Sequence, residues 1–380
     1  MIRKFGRNAS LGLLVLVGAA LPTVSWQAGG GAAPAAPPSP VPTVDLHRAD
    51  VIRFSAPGPA AVLSTMKCGP GGDIYVIYSS TSSQEMAAIP IRRISVFSRS
   101  VTEYAVPAIS GYRRLARLSF DVSADGSLYA LLQAIPQTGA ERKSDPAYLI
   151  VKYKDDGNVD SYVVVGEIPG ERIHPTSLAM FGAGNSLVSG TTVQKTAEGT
   201  TSLGVFSAMF DRGGTFRAPV TLMNLATPAE TSAASSNPRG FTDAISLASS
   251  VLSFSSSDGN IYVLQDAHLD VVSPFGSVEH EFELVPPSDK LSPTQMASAG
   301  SGYLFVSYDH IATGEPDEGD KYRSMITVIY SPTGEVTNVY RMPQNGTDFA
   351  VAACAASLGD FLFLSSDEQN YLEVVHYLPH

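Results

Sequence analysis

Six times along the chain, small or acidic turn residues lead into a β-rich run: Gly72–Val76, Asp125–Tyr129, Gly184–Val188, Asp258–Val263, and more loosely Ser301–Phe305 and Leu358–Leu362. Internal repetition at this spacing is the signature of a repeat architecture. Asp-Gly and Gly-Asn accept the positive φ of tight turns, so each copy reads as the turn into a strand. A second hairpin follows each of four copies: Leu149–Tyr153 with Asp156-Gly157, Ala208–Phe210 with Gly213-Gly214, Leu269–Val272 with Gly276, and Ile326–Tyr330 with Pro332-Thr333-Gly334. Outer strands ending on Pro107, Pro286 and Pro343 suit sheet edges, where a missing N–H is tolerated. No span shows a long helical period.

The expected fold is therefore all-β, a six-bladed β-propeller of four-stranded antiparallel blades. The sixth copy lacks its fourth strand, because the chain stops after Leu372–Tyr377. Asp50–Pro57 has the alternation and terminal proline of an outer strand and precedes the first inner strand. The N-terminal strand is thus expected to complete the last blade and close the ring, leaving no long free edge. Cys68 and Cys354 lie five and six residues before Asp73 and Asp360, near the ends of the first and last innermost strands, which a closed ring makes neighbours. In an oxidising compartment these two form a disulfide; the alternative is a pair of buried free thiols.

Arg3, Lys4 and Arg7 precede an uncharged run from Ala9 to Leu21, the pattern of a secretory leader over residues 1–25. That run is shorter than the roughly 18 to 20 residues that span a bilayer, so no stable membrane insertion is expected after cleavage. Residues 26–45 are rich in Gly, Ala and Pro and read as a semi-rigid linker, leaving 46–380 as the folded unit. A secreted or periplasmic location follows, and tethering as an envelope module is the structural alternative. The net charge of -11, without a basic cluster carrying interleaved aromatics, argues against nucleic acid as a partner.

The stretch Ser256–Val263 leading to Leu269–Gly276 resembles the repeats of NHL-like six-bladed propellers. The likeness lies in the DG-[NS]-[IL]-Y core, while the proline and glycine-isoleucine signature of the preceding strand is absent. Such propellers are commonly binding or scaffold domains, and their relatives include calcium-dependent lactonases, lyases and quinoprotein sugar dehydrogenases. The resemblance therefore implies a fold and leaves the reaction open.

Chemistry has few candidate positions. Loops entering the innermost strands surround the channel mouth, where a ligand surface is expected. The register puts Arg113, Arg114, His174, Arg239, Lys290 and Asp348 there, a mixed ring able to hold an anion. Glu315, Asp317, Glu318 and Asp320 form one acidic loop, and Asp155, Asp156, Asn158 and Asp160 another. Neither matches an EF-hand, and both read better as loop and turn residues. No G-x-S-x-G, H-E-x-x-H or phosphate-loop pattern occurs, so no metal ligands or catalytic residues are assigned. The expected function is an exported module binding a small molecule, glycan or protein at the channel mouth. A metal-dependent, lactonase-like hydrolase or lyase, with a divalent cation such as calcium, is the alternative.

Overall fold

The computed structural model describes residues 41–54, 62–79, 89–137, 145–195, 201–222, 251–288, 290–310, 326–342, 349–357, 360–366 and 372–379. Apart from a 3-10 turn at Pro70–Gly72, every regular element among them is a strand. After β1 (Thr43–Phe54) come four separate four-stranded antiparallel sheets. They are β2–β5 (Val62–Cys68, Ile74–Ser79, Ile91–Ser95, Ser100–Tyr104) and β6–β9 (Tyr112–Val122, Leu128–Pro136, Ala147–Tyr153, Val159–Val164). Next are β10–β13 (Arg172–Met180, Ser186–Lys195, Thr201–Phe210, Phe216–Pro219) and β14–β17 (Leu252–Ser255, Ile261–Gln265, His268–Val272, Val278–Glu283).

The remaining strands are β18–β21 (Leu291–Gly300, Tyr303–His310, Ile326–Tyr330, Val336–Arg341) and β22–β24 (Phe349–Ser357, Asp360–Ser366, Leu372–Pro379). With β1 they form one eight-stranded sheet, in the order β18-β19-β20-β21-β1-β24-β23-β22. This corrects the expectation of six separate blades: four sheets stand alone and eight strands are continuous. The cause is the length of β1. Leu46–Phe54 pair antiparallel with β24, as a closing strand should, while Thr43, Val44 and Asp45 run on in parallel beside Val339, Tyr340 and Arg341 of β21. The strand begins at Thr43, three residues ahead of the expected linker boundary, and Ser55 to Pro57 lie outside the described residues.

The repeated turns behave as their chemistry dictates. Gly126 and Gly259 take φ of 85° and 90°, a region that strains residues with a Cβ. Asp125 and Asp258 each accept the backbone N–H two residues on, from Ser127 at 3.0 Å and Asn260 at 2.9 Å. A second periodic feature is register. β2, β6, β10, β18 and β22 each break step with the next strand at matching places, between Leu63 and Thr65, Arg117 and Ser119, Pro175 and Ser177, Pro293 and Gln295, and Ala350 and Ala352. Such bulges bend a strand and increase its twist.

The first strands neighbour one another in a closed circuit, β2 to β6, β10, β14, β18, β22 and back to β2. Between successive sheets lie apolar wedges. One joins Phe120, Leu132 and Leu149 to Tyr75 and Tyr104; another joins Phe305 and Ile329 to Phe361, Phe363 and Leu46. In the second, Phe361 lies 4.8 Å from the Tyr340 ring and 5.7 Å from Phe305, so β1 is held by packing as well as by its ladder. Each fully buried side chain of this size contributes roughly 1.5 to 3 kcal/mol. The arrangement is all-β and propeller-like, with a turn side where first strands end and a loop side where they begin.

Candidate functional site

On the turn side, the ends of the first strands meet in a buried polar floor. Asp121, the penultimate residue of β6, is 1% exposed. Its Oδ2 accepts the N–H of Met180, the last residue of β10, at 2.8 Å, and the hydroxyl of Ser255, the last of β14, at 3.0 Å. Its Oδ1 has no hydrogen bond and faces Lys67 Nζ at 3.4 Å. Burial pushes the Asp121 carboxyl up; the Lys67 ammonium first, then the Met180 N–H and the Ser255 hydroxyl, pull the other way. Lys67 also donates to the Ser253 carbonyl of β14.

The neighbours of Lys67 complete the floor. The Met66 carbonyl accepts from Gln295 of β18 at 3.3 Å, and Cys68 is disulfide-bonded to Cys354 of β22, with Cα atoms 5.6 Å apart. Three consecutive residues, Met66, Lys67 and Cys68, therefore tie β2 to β18, β14, β6 and β22. Of the two states left open for the cysteines, the structure has the disulfide.

The floor does not fit a divalent cation. Among the described residues Asp121 is the one carboxylate in it, and the Lys67 amino group already stands 3.4 Å from that carboxylate. Among the described residues no three His, Cys, Asp or Glu side chains gather to share an ion. The acids at 155–160 serve the β8–β9 turn, where Asp156 accepts both the N–H and the side-chain amide of Asn158 at 3.0 Å. Glu315, Asp317, Glu318 and Asp320 lie outside the described residues.

The loop-side rim is built differently. Arg113 is paired with Ile135, and Ala116 with Gln133, which in turn is paired with Tyr148. Cross-strand partners and residues two apart share a face. Arg113, Gln133 and Tyr148 therefore all face the sheet β10–β13. There the Tyr148 hydroxyl meets His174 Nδ1 at 2.9 Å, with the rings perpendicular at 6.4 Å. Arg172, two residues from His174, forms an ion pair with Asp145. The strand backing His174 comes very close, since a Cβ on Gly190 would lie 2.3 Å from the His174 carbonyl oxygen. Glycine at 190 is what allows β10 and β11 to meet there.

Desolvation, then the Arg172 guanidinium, holds the His174 imidazole below its ordinary value, opposed by Asp145. Burial pushes the Tyr148 phenol up, against the Gln133 hydrogen bond and Arg172. Which of the two groups donates is set by the imidazole tautomer. The His174 side chain stays half-exposed at the rim.

Of the residues expected at the mouth, Arg113 and His174 lie in strands β6 and β10 rather than in the loops before them. Arg114 is exposed, with a positive φ of 51° inside a break of register. Lys290 lies in the turn before β18, exposed, its N–H on the Ser288 hydroxyl at 3.2 Å. Arg239 and Asp348 lie outside the described residues. The sequence reading missed Tyr148, Gln133, Arg172 and Asp145. Arg172 and His174 are two apart in a strand, the one local signal available; the others reach the site only through pairing with β7 and β8.

Fold and site together define a propeller-like ring of antiparallel sheets with a buried polar floor on the turn side and a half-exposed polar rim on the loop side. No protein-family model matches the chain, and no curated protein matches it. Among solved structures it is similar to a protein of unknown function from Dyadobacter fermentans DSM 18053, at 8% identity and a TM-score of 0.47, covering 88% of this chain and 100% of that one. It is similar also to a member of the DUF4221 family from Bacteroides vulgatus ATCC 8482, at 8% identity and a TM-score of 0.48, covering 89% and 99%. A third is YCF48 bound to D1 peptide, at 9% identity and a TM-score of 0.37, covering 88% and 97%.

Proposed function

We propose that this chain is an exported six-bladed propeller that binds a small ligand on its loop-side rim, around His174. The count of six treats the eight-stranded sheet as two blades, β18–β21 and β22–β24 with β1, sharing an edge at β1. What supports it is the circuit of first strands and the bulge repeated in five of them. Export is supported by the leader pattern and by the Cys68–Cys354 bond, which persists in oxidising compartments. Among the described residues no helix is long and apolar enough to cross a membrane.

One observation carries the binding reading. His174 is held by Tyr148 through Nδ1 and by the close approach of Gly190 to its backbone, and its ring stays half-exposed. Rigid placement of a half-exposed imidazole is the preorganisation a binding site needs. The test screens carboxylates, phosphates, sugars and peptides by thermal shift on the mature chain and its His174→Ala variant. At least one class is expected to raise the melting temperature of the parent and to lose that effect in the variant. A class that stabilises both equally puts binding elsewhere, and a panel without effect on the parent overturns the reading.

A further inference from the structure

Six cationic side chains among the described residues are half-buried: Lys67, Arg92, Arg93, Arg113, Arg117 and Lys152. Lys67 faces Asp121, Arg92 pairs with Glu103, Arg93 pairs with Asp73, and Lys152 lies 5.7 Å from the centre of the Tyr129 ring. Arg113 is engaged as well. Arg117 is the exception. Among the described residues its guanidinium has no hydrogen bond and no carboxylate, and the group that acts on it electrostatically is the Tyr153 phenol. Partly desolvating a guanidinium that no carboxylate among the described residues faces costs free energy.

Repeat geometry makes the exception sharper. Arg117 occupies the place just before the recurrent bulge, where the sister strands carry Leu63, Pro175, Pro293 and Ala350. The position is apolar in every other bulged strand. Arg117 also stands between two breaks of register, one on each side, which re-aim its side chain. Its cross-strand partner Leu132 belongs to the wedge facing β2–β5, so Arg117 points to the opposite side of β6–β9 from Tyr148 and His174.

We propose that Arg117 is the anchor of a second binding site, in the wedge between β2–β5 and β6–β9, for a small oxyanion bearing a carboxylate or phosphate group. The planar guanidinium presents paired N–H donors that such a group accepts in a fork, and the anion supplies a counter-charge that no described carboxylate gives. The site is independent of the His174 rim, because the two lie on opposite faces of one sheet.

The test titrates the mature chain with sodium phosphate and with sodium acetate against sodium chloride at constant ionic strength. Melting temperature and equilibrium dialysis of labelled phosphate are the readouts. One of the two oxyanions is expected to raise the melting temperature saturably by several degrees and to bind at one per chain; which one does so separates phosphate from carboxylate chemistry. Arg117→Gln is expected to melt in chloride at least as high as the parent, since it removes a partly desolvated charge that no described carboxylate faces, and to lose the oxyanion effect. His174→Ala is expected to keep it. An oxyanion effect undiminished in Arg117→Gln, or none on the parent beyond that of chloride, overturns the proposal. If Arg117→Gln does not fold, dialysis decides on His174→Ala: one saturable site kept there supports the proposal and no saturable uptake overturns it.

Discussion

The floor and the rim of this ring are made of similar residues and use them in opposite ways. At the floor, Lys67, Asp121, Ser253, Ser255 and Gln295 are spent on one another and on backbone groups of neighbouring sheets. At the rim, Tyr148 and Gly190 hold His174 while its side chain stays half-exposed. A buried polar network that links neighbouring sheets rigidifies a core, whereas a half-exposed group held in place is poised for a ligand. The difference predicts that floor substitutions are read in stability and rim substitutions in binding.

The largest effect is expected from the covalent part of the floor. Replacing both cysteines, Cys68→Ser with Cys354→Ser, removes a link between residues 286 apart in sequence. Chain-entropy arguments put the loss on the order of 5 kcal/mol, measurable as the denaturant midpoint of the double variant against that of the oxidised parent. An unchanged midpoint would mean that β1 and the apolar wedges close the ring unaided. Next comes Lys67→Ala, which strands the 1%-exposed Asp121 carboxylate and should destabilise by about 3 to 5 kcal/mol. The paired change Lys67→Met with Asp121→Leu sharpens the point. It should recover most of that loss but fall short of the parent by about 1 to 3 kcal/mol, because the Met180 N–H would lose its acceptor.

Gly190→Ala tests the link between packing and the rim. The added Cβ must displace the His174 carbonyl and the Pro175 Cα, which it would approach to 2.3 and 2.8 Å. A destabilisation of about 1 to 3 kcal/mol is expected from overpacking, together with loss of whatever ligand response His174 supports. Tyr148→Phe should do the reverse. Removing one half-buried hydroxyl is worth about 1 kcal/mol or less in melting, yet it frees the imidazole to rotate and should abolish the ligand response. If Tyr148→Phe binds as the parent does, the contrast between floor and rim fails on the rim side.

How much of this was written in the chain depends on whether the information is local. The turns were legible because Asp125-Gly126 and Asp258-Gly259 solve a local backbone problem with local atoms. The closing strand and the partnership of Cys68 with Cys354 were legible because repetition assigns an address to each strand, and a missing strand or a matched pair of cysteines then stands out. The fusion of eight strands was not, since it depends on where β1 passes from β24 to β21. The floor and the rim were only half legible. Lys67 and Asp121 are 54 positions apart and Tyr148 and His174 are 26 apart, in strands whose own patterns call simply for β-structure. Arg117 was invisible for a related reason: it is conspicuous only against Leu63, Pro175, Pro293 and Ala350, and that alignment comes from register.

The smallest expected effect is the pH dependence that His174 gives the rim. Its folded pKa is held below the ordinary value by desolvation and Arg172, so the folded state favours the neutral ring. The stability this represents is complete above the unfolded value of about 6.5 and is lost as pH falls through the lower folded value, where the unfolded chain binds the proton more readily. Because the side chain is partly exposed, solvent screens most of the shift, and the contribution is small. Parent and His174→Gln should therefore have melting curves that run parallel from pH 8 to 7 and converge slightly toward pH 5, with the parent losing more. The floor offers the control. In Lys67→Ala the same convergence should persist on a lower baseline, since Lys67 and His174 share no contact; if it disappears, the two ends of the ring are coupled and the division of labour between them is wrong.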